Sequence, residues 1–221
     1  MGPSRPIRAC MTMVAAAFAG FTLLSAQPTA FSLDQQRAPQ LLDALAKALP
    51  SSAQREISWL VDSVRRRPLA SLPANVIVGL EADLAALNRV SEVPPAERDR
   101  VVEVVREDIR LKAQYCRSHP DGMAAQIALT VRTWQQGQAR TESPQWQVVY
   151  INAPWAGFAG RKPSPFPKFS SPTSMSLAPG AYVLWAQDPA TATRRGPEIV
   201  VRLGLGSSAA VEADLLVAPG G

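Results

Sequence analysis

Histidine and cysteine are almost absent from this chain of 221 residues: one histidine, His119, and two cysteines, Cys10 and Cys116. A single histidine excludes a metal centre built on several imidazoles, and the sequence calls for no metal and no cofactor. No G-x-S-x-G nucleophile elbow occurs. The C-terminal half has few carboxylates to pair for sugar hydrolysis. The longest charge-free apolar run, Ala9–Leu24, is short for a membrane span of about 20 residues. These absences point away from an enzyme.

The same run, behind Arg5 and Arg8 and ahead of the small residues Ser25, Ala26, Thr29 and Ala30, has the layout of a cleavable secretory signal. Residues 1–30 are therefore expected to direct export to the periplasm or the extracellular space. Membrane attachment follows only if the segment stays uncleaved. Cys10 precedes the run, whereas a lipid-modified cysteine would follow it. Cleavage leaves Cys116 alone, so no internal disulfide supports the fold. Without Arg5 and Arg8, 21 basic residues face 18 acidic ones, a net of +3. That mild excess argues against nucleic acid as a partner.

Residues 31–123 read as helical. Ser32 with Gln35 resembles a capping box, and Leu41, Leu42, Leu45 and Leu49 form one stripe that Pro50 ends. Ser51 or Ser52 opens a second helix with Ile57, Leu60, Val61 and Val64, ending at Arg65–Arg67 and Pro68. A third spans about Pro73 to Asn88 on Val76, Leu80, Leu84 and Leu87. The fourth starts at Pro94-Pro95, where proline costs nothing, and runs to about Cys116. Its stripe is Val101, Val105, Ile109 and Lys112. Four amphipathic helices on short turns predict a four-helix unit.

From residue 124 to 218 the period changes to two. Alternation over Ile127–Trp134, Trp146–Ile151, Ile199–Leu205 and Val211–Val217 predicts strands. Ser174–Asp188 adds two more, paired as a hairpin around Pro179-Gly180, residues suited to a type II turn. Tyr182, Leu184 and Ala186 share one face there, and Val183 and Trp185 the other. About six short strands predict an antiparallel β-sandwich, and with the helices an α+β chain.

The run Leu177-Ala178-Pro179-Gly180-Ala181-Tyr182-Val183 resembles the L-x-P-G-x-Y signature of carboxypeptidase regulatory-like domains. The resemblance, extended over residues 124–218, implies a prealbumin-like (transthyretin-like) sandwich with Leu177 in the core and Tyr182 at a corner. It also implies an accessory or binding module, not a catalyst.

The loop Asn152–Pro172 concentrates Trp155, Phe158, Phe166 and Phe169 beside Arg161, Lys162 and Lys168, stiffened by five prolines. Presented outward, such a loop suits a glycan, an anionic polymer or an envelope protein. Folded back, its aromatics would plug an open end of the sandwich. Arg194 and Arg195, in the turn Asp188–Pro197, are expected to extend the cationic patch. Gly204–Ala209 matches G-x-G-x-x-A, but only a strand-like dozen residues follow, so a hairpin turn is expected there and no nucleotide site. Cys116 reads as a buried apolar side chain, or else as a nucleophile with His119 three residues on. The leading expectation is an exported, non-enzymatic binding protein acting through the Trp155–Phe169 loop. The alternatives are a structural or assembly role for the helical half and, last, a Cys116-dependent enzyme.

Overall fold

A computed structural model of the chain describes residues 29–51, 54–65, 72–119, 126–135, 146–160, 162–168, 171–204 and 210–217. The expected signal segment lies, up to residue 28, outside them. Among them four α-helices come first: α1 (Thr29–Ala48), α2 (Gln54–Arg65), α3 (Ala74–Asn88) and α4 (Pro95–Ser118). The first is already helical at Thr29, so Ser32 lies inside it and not at its start. Proline occupies the first position of α4, where a missing N–H is one that no helix would satisfy. None of these helices is long and apolar enough to cross a membrane, among the described residues.

Leu42 and Leu45 from α1, Leu60 from α2, Leu80 from α3 and Ile109 from α4 share one buried apolar cluster. Two aromatic residues from the distant loop, Trp155 and Phe158, complete it.

Seven strands follow among the described residues: β1 (Ile127–Gln135), β2 (Gln147–Asn152), β3 (Ser164–Pro165), β4 (Thr173–Leu177), β5 (Gly180–Gln187), β6 (Arg194–Leu203) and β7 (Ala210–Val217). They form a three-stranded sheet, β4-β1-β7, and a four-stranded sheet, β3-β2-β5-β6. A second core lies between the sheets, built on Leu129, Val148, Tyr182, Leu184, Leu203 and Leu215. The chain is thus a mixed α+β fold with a sandwich-like β part. Alternation predicted the strands well, yet β3 is too short for any period to reveal.

Two expectations about pairing fail. Ser174–Asp188 is no hairpin, because β4 pairs with β1, at Ile127↔Leu177 through Val131↔Thr173, while β5 pairs with β2 and β6. The Pro179 corner is an arch that carries the chain from one sheet to the other. Nor is the sandwich wholly antiparallel: β1 and β7 run parallel, from Ala128↔Ala210 to Gln135↔Val217. Parity explains this. β4 runs against β1, and the arch reverses the chain so that β5 runs with β1. β6 opposes β5, and a further reversal returns β7 to the direction of β1.

The strand β5 is buried along most of its length, because it is covered on both sides. Tyr182 and Leu184 enter the sandwich core. Ala181 and Val183 point the other way and pack with Leu111 of α4. The helix α4 therefore lies on the outer face of the four-stranded sheet, where it joins the two cores.

Candidate functional site

The loop after β2 folds back. Trp155, Phe158 and Phe166 are only 6%, 7% and 1% exposed. Ala153–Trp155 forms a 3-10 turn that delivers Trp155 and Phe158 into the helical cluster. Their rings lie 4.8 Å apart, with the Arg89 guanidinium 5.6 and 6.0 Å from the two ring centres. Phe166 enters the sandwich core, edge-on to Tyr150 at 5.8 Å, and its backbone N–H donates to the Val148 carbonyl at 2.8 Å. The expectation of an exposed aromatic platform is therefore corrected: burying these rings in two cores stabilises more than solvation could. Lys162 and Lys168 remain exposed, while Arg161 and Phe169 lie outside the described residues. Arg194 is exposed and paired with Glu198 on its own strand. The Arg195 side chain and residues 205–209 also lie outside the described part. A strand, not a helix, follows them at Ala210.

Cys116 sits in the helical core at 2% exposure. The His119 ring stacks on Tyr115 with centres 4.2 Å apart, and its Nδ1–H donates to the Tyr115 carbonyl at 3.2 Å. Substrate access to the thiol is blocked by packing.

The chemistry concentrates where no motif announced it. Lys112 projects from α4 into the interface with α3, where its Nζ donates to Asp83 at 2.6 Å and to Asp108 one turn earlier. All three side chains are 2–3% exposed. Asp108 also accepts the Ala181 N–H at the start of β5. One cluster thus ties α3, α4 and the arch together.

Two glycines make room for it. A Cβ on Gly79, in mid-α3, would come 2.6 Å from Lys112 Cε. Gly180 has φ +153° and not the +80° of a type II turn, and a Cβ there would come 2.7 Å from Asp108 Oδ1. Glycine in a helix interior costs about 1 kcal/mol against alanine, and here the lysine stem occupies the freed space.

Burial, and then the neighbouring Asp108 charge, hold the Asp83 carboxyl well above the usual carboxylate range. Burial also disfavours the Lys112 ammonium, but Asp108 and Asp83 outweigh it and raise its pKa. The cluster is buried and closed on itself, with the Lys112 ammonium shared between the two carboxyl groups. Among the described residues, no group of three or more His, Cys, Asp or Glu is placed to hold a metal ion. Between the two aspartates the ammonium takes the place a cation would have.

Asp108 and Lys112 line the base of a cleft of about 340 Å³ between α3, β2 and the arch. Its polar walls are Asn75, Asn152 and Ser176, and its apolar walls include Tyr150 and Pro179. Two of the three Lys112 N–H groups are engaged by the aspartates. The Tyr182 hydroxyl donates to the Ala178 carbonyl at 2.9 Å, closing the corner below the cleft. Burial pushes that phenol far above its ordinary pKa, so it acts as a hydrogen-bond donor and not as a base. On the other side of α4, a cleft of about 570 Å³ with Val101, Val104 and Val200 on its walls separates the helix from β6. Arg202 of β6 reaches Glu107 of α4 across it at 3.3 Å.

Set against known proteins, the chain matches no protein family, no curated protein and no solved structure.

Proposed function

We propose that this protein is an exported, non-enzymatic binding module of the envelope or extracellular space, and that it holds a neutral, hydroxyl-rich ligand, a glycan unit, in the cleft above Lys112. The observation that carries this reading is the Asp108–Lys112 ion pair, held by Asp83 behind it, at the base of a cleft with polar walls. With its charges paired to one another the base offers little field to attract an ion, while the third lysine N–H, two amides and a serine hydroxyl can serve hydroxyl groups. Tyr150 and Pro179 suit the C–H face of a sugar ring. The volume is at the small end for a ligand site, fitting a single ring. Export rests on the residue 1–30 pattern. The finer reading of the β part as a prealbumin-like, carboxypeptidase regulatory-like domain is supported by Leu177 in the core and by the Tyr182 corner. The shared cluster of α1–α4 supports a four-helix unit.

The test is an amide-resolved NMR titration with N-acetylglucosamine, methyl glucoside and glucuronate. Saturable shifts at Gly79, Asn152 and Gly180 are expected for the neutral sugars. Asn152→Ala or Ser176→Ala should each weaken binding about fivefold, one ordinary hydrogen bond. Absence of localised shifts with all three sugars would overturn the assignment. The Val101–Val200 cleft favours a second reading, docking of an envelope protein, because Val200 is 52% exposed on its wall. A Val200→Asp variant that keeps every partner captured by wild type would exclude it.

A further inference from the structure

The face of α4 opposite Lys112 carries a different kind of site. At 100° per residue, Arg110, Gln114 and Arg117 point away from Asp108 and Lys112, toward α2. With Arg55, Glu56 and Trp59 of that helix they line a cleft of about 630 Å³. The Arg55 guanidinium lies 4.9 Å and that of Arg117 5.4 Å from the centre of the Trp59 ring. Arg110 is committed to Glu107 by two hydrogen bonds of 2.8 Å. Among the described residues neither Arg55 nor Arg117 pairs with a carboxylate, and both are exposed.

Three arginines and one glutamate give this lining an excess of positive charge. Holding two guanidiniums against one indole fixes their planes before any ligand arrives, which reduces the entropy lost on binding. Glu56 adds a second requirement. It is 7% exposed, and its Oε2 has no hydrogen-bond partner among the described residues. A buried carboxylate oxygen without a donor is costly, and a ligand N–H or O–H would satisfy it.

We infer that the α2–α4 cleft is a second binding site, for a phosphoester whose neighbouring atoms carry a hydroxyl or amine donor. The phosphate oxygens accept from Arg55 and Arg117, for which the planar guanidinium fork is suited, and the donor reaches Glu56. This site is independent of the sugar cleft, since it shares no residue with it.

The chemistry could come from a soluble phosphoester or from a phospholipid headgroup, and two arms separate them. In one, glycerol 3-phosphate is titrated into the labelled protein and the Gln114 and Ser118 amides are followed. In the other, phosphatidylglycerol vesicles are tested by flotation beside phosphatidylcholine vesicles. Binding in either arm, weakened about tenfold or more by Arg55→Gln and by Arg117→Gln and reduced by salt, supports the site. Both positions are exposed, so unchanged circular dichroism is expected. Glu56→Gln tests the donor: it should weaken glycerol 3-phosphate more than inorganic phosphate. No binding in either arm, or binding that both arginine variants retain in full, would overturn the inference.

Discussion

Replacing Lys112 with methionine keeps the length of the side chain and removes its charge from between Asp83 and Asp108. Asp108 is 3% exposed and still accepts the Ala181 N–H, so its carboxylate cannot reach water without opening the arch. At roughly 3 Å and an effective dielectric of about 20, the lost attraction is on the order of 5 kcal/mol. Breaking a buried pair by removing one partner costs about 3–5 kcal/mol in measured cases. Domains are stable by only about 5–15 kcal/mol, so the variant should lose about a fifth or more of its stability. Urea unfolding followed by circular dichroism measures this as a lower midpoint. The triple variant Asp83→Asn, Lys112→Met, Asp108→Asn should recover most of the loss, since no uncompensated charge remains. A single-variant loss below about 1 kcal/mol, or a triple variant no better than the single, would refute the reasoning.

Asp83 also sets a pH dependence. Its folded-state pKa is raised above its unfolded one, so its contribution is complete in acid, below the unfolded value, and is lost as pH rises through the folded value. Lys112, likewise raised, contributes up to its unfolded pKa and loses that contribution only in strong alkali. Asp83→Asn should therefore flatten the decline of stability as pH rises from acid; an unchanged slope in urea titrations would contradict it. Gly180→Ala should cost about 1–3 kcal/mol from strained φ alone, more with the Asp108 contact, and a neutral effect would exclude the pinned arch. Trp155→Ala should destabilise by about 3–5 kcal/mol, as for a core aromatic, and a surface-like change within about 0.5 kcal/mol would restore the outward-facing loop. Cys116 should resist a thiol reagent in the native protein and react on unfolding, and rapid native labelling would reopen a thiol chemistry.

Periodicity revealed what depends on one face. Leu41, Leu42 and Leu45, Val101 and Val105, and the alternating residues of β1 and β7 all mark surfaces buried against a neighbour. It could not reveal which strand pairs with which, since Ser174–Asp188 has the same alternation as a hairpin or as an arch. The difference lies in Asp108, 72 positions before Gly180 in sequence, which occupies the space beside that glycine. The aromatic loop misled for a related reason: Trp155 and Phe166 sit among prolines and cations, yet each is claimed by a core that the loop crosses. The buried cluster did leave a trace. Lys112 stands on an apolar stripe, and Gly79 interrupts a helix four residues before Asp83, one turn along the same face. A charged residue where the pattern demands an apolar one signals a buried partner, and Gly79 marks where its stem must pass.

The helix α4 joins helices and sandwich through Asp108 and Lys112, and the Ala181 amide reports on that joint directly. Native-state hydrogen exchange should place that amide among the slowest in the protein, opening only with global unfolding. In Lys112→Met its protection should fall by at least as much as the overall stability. An Ala181 amide that exchanges quickly in the wild-type protein, while the β2–β5 amides stay protected, would contradict the account.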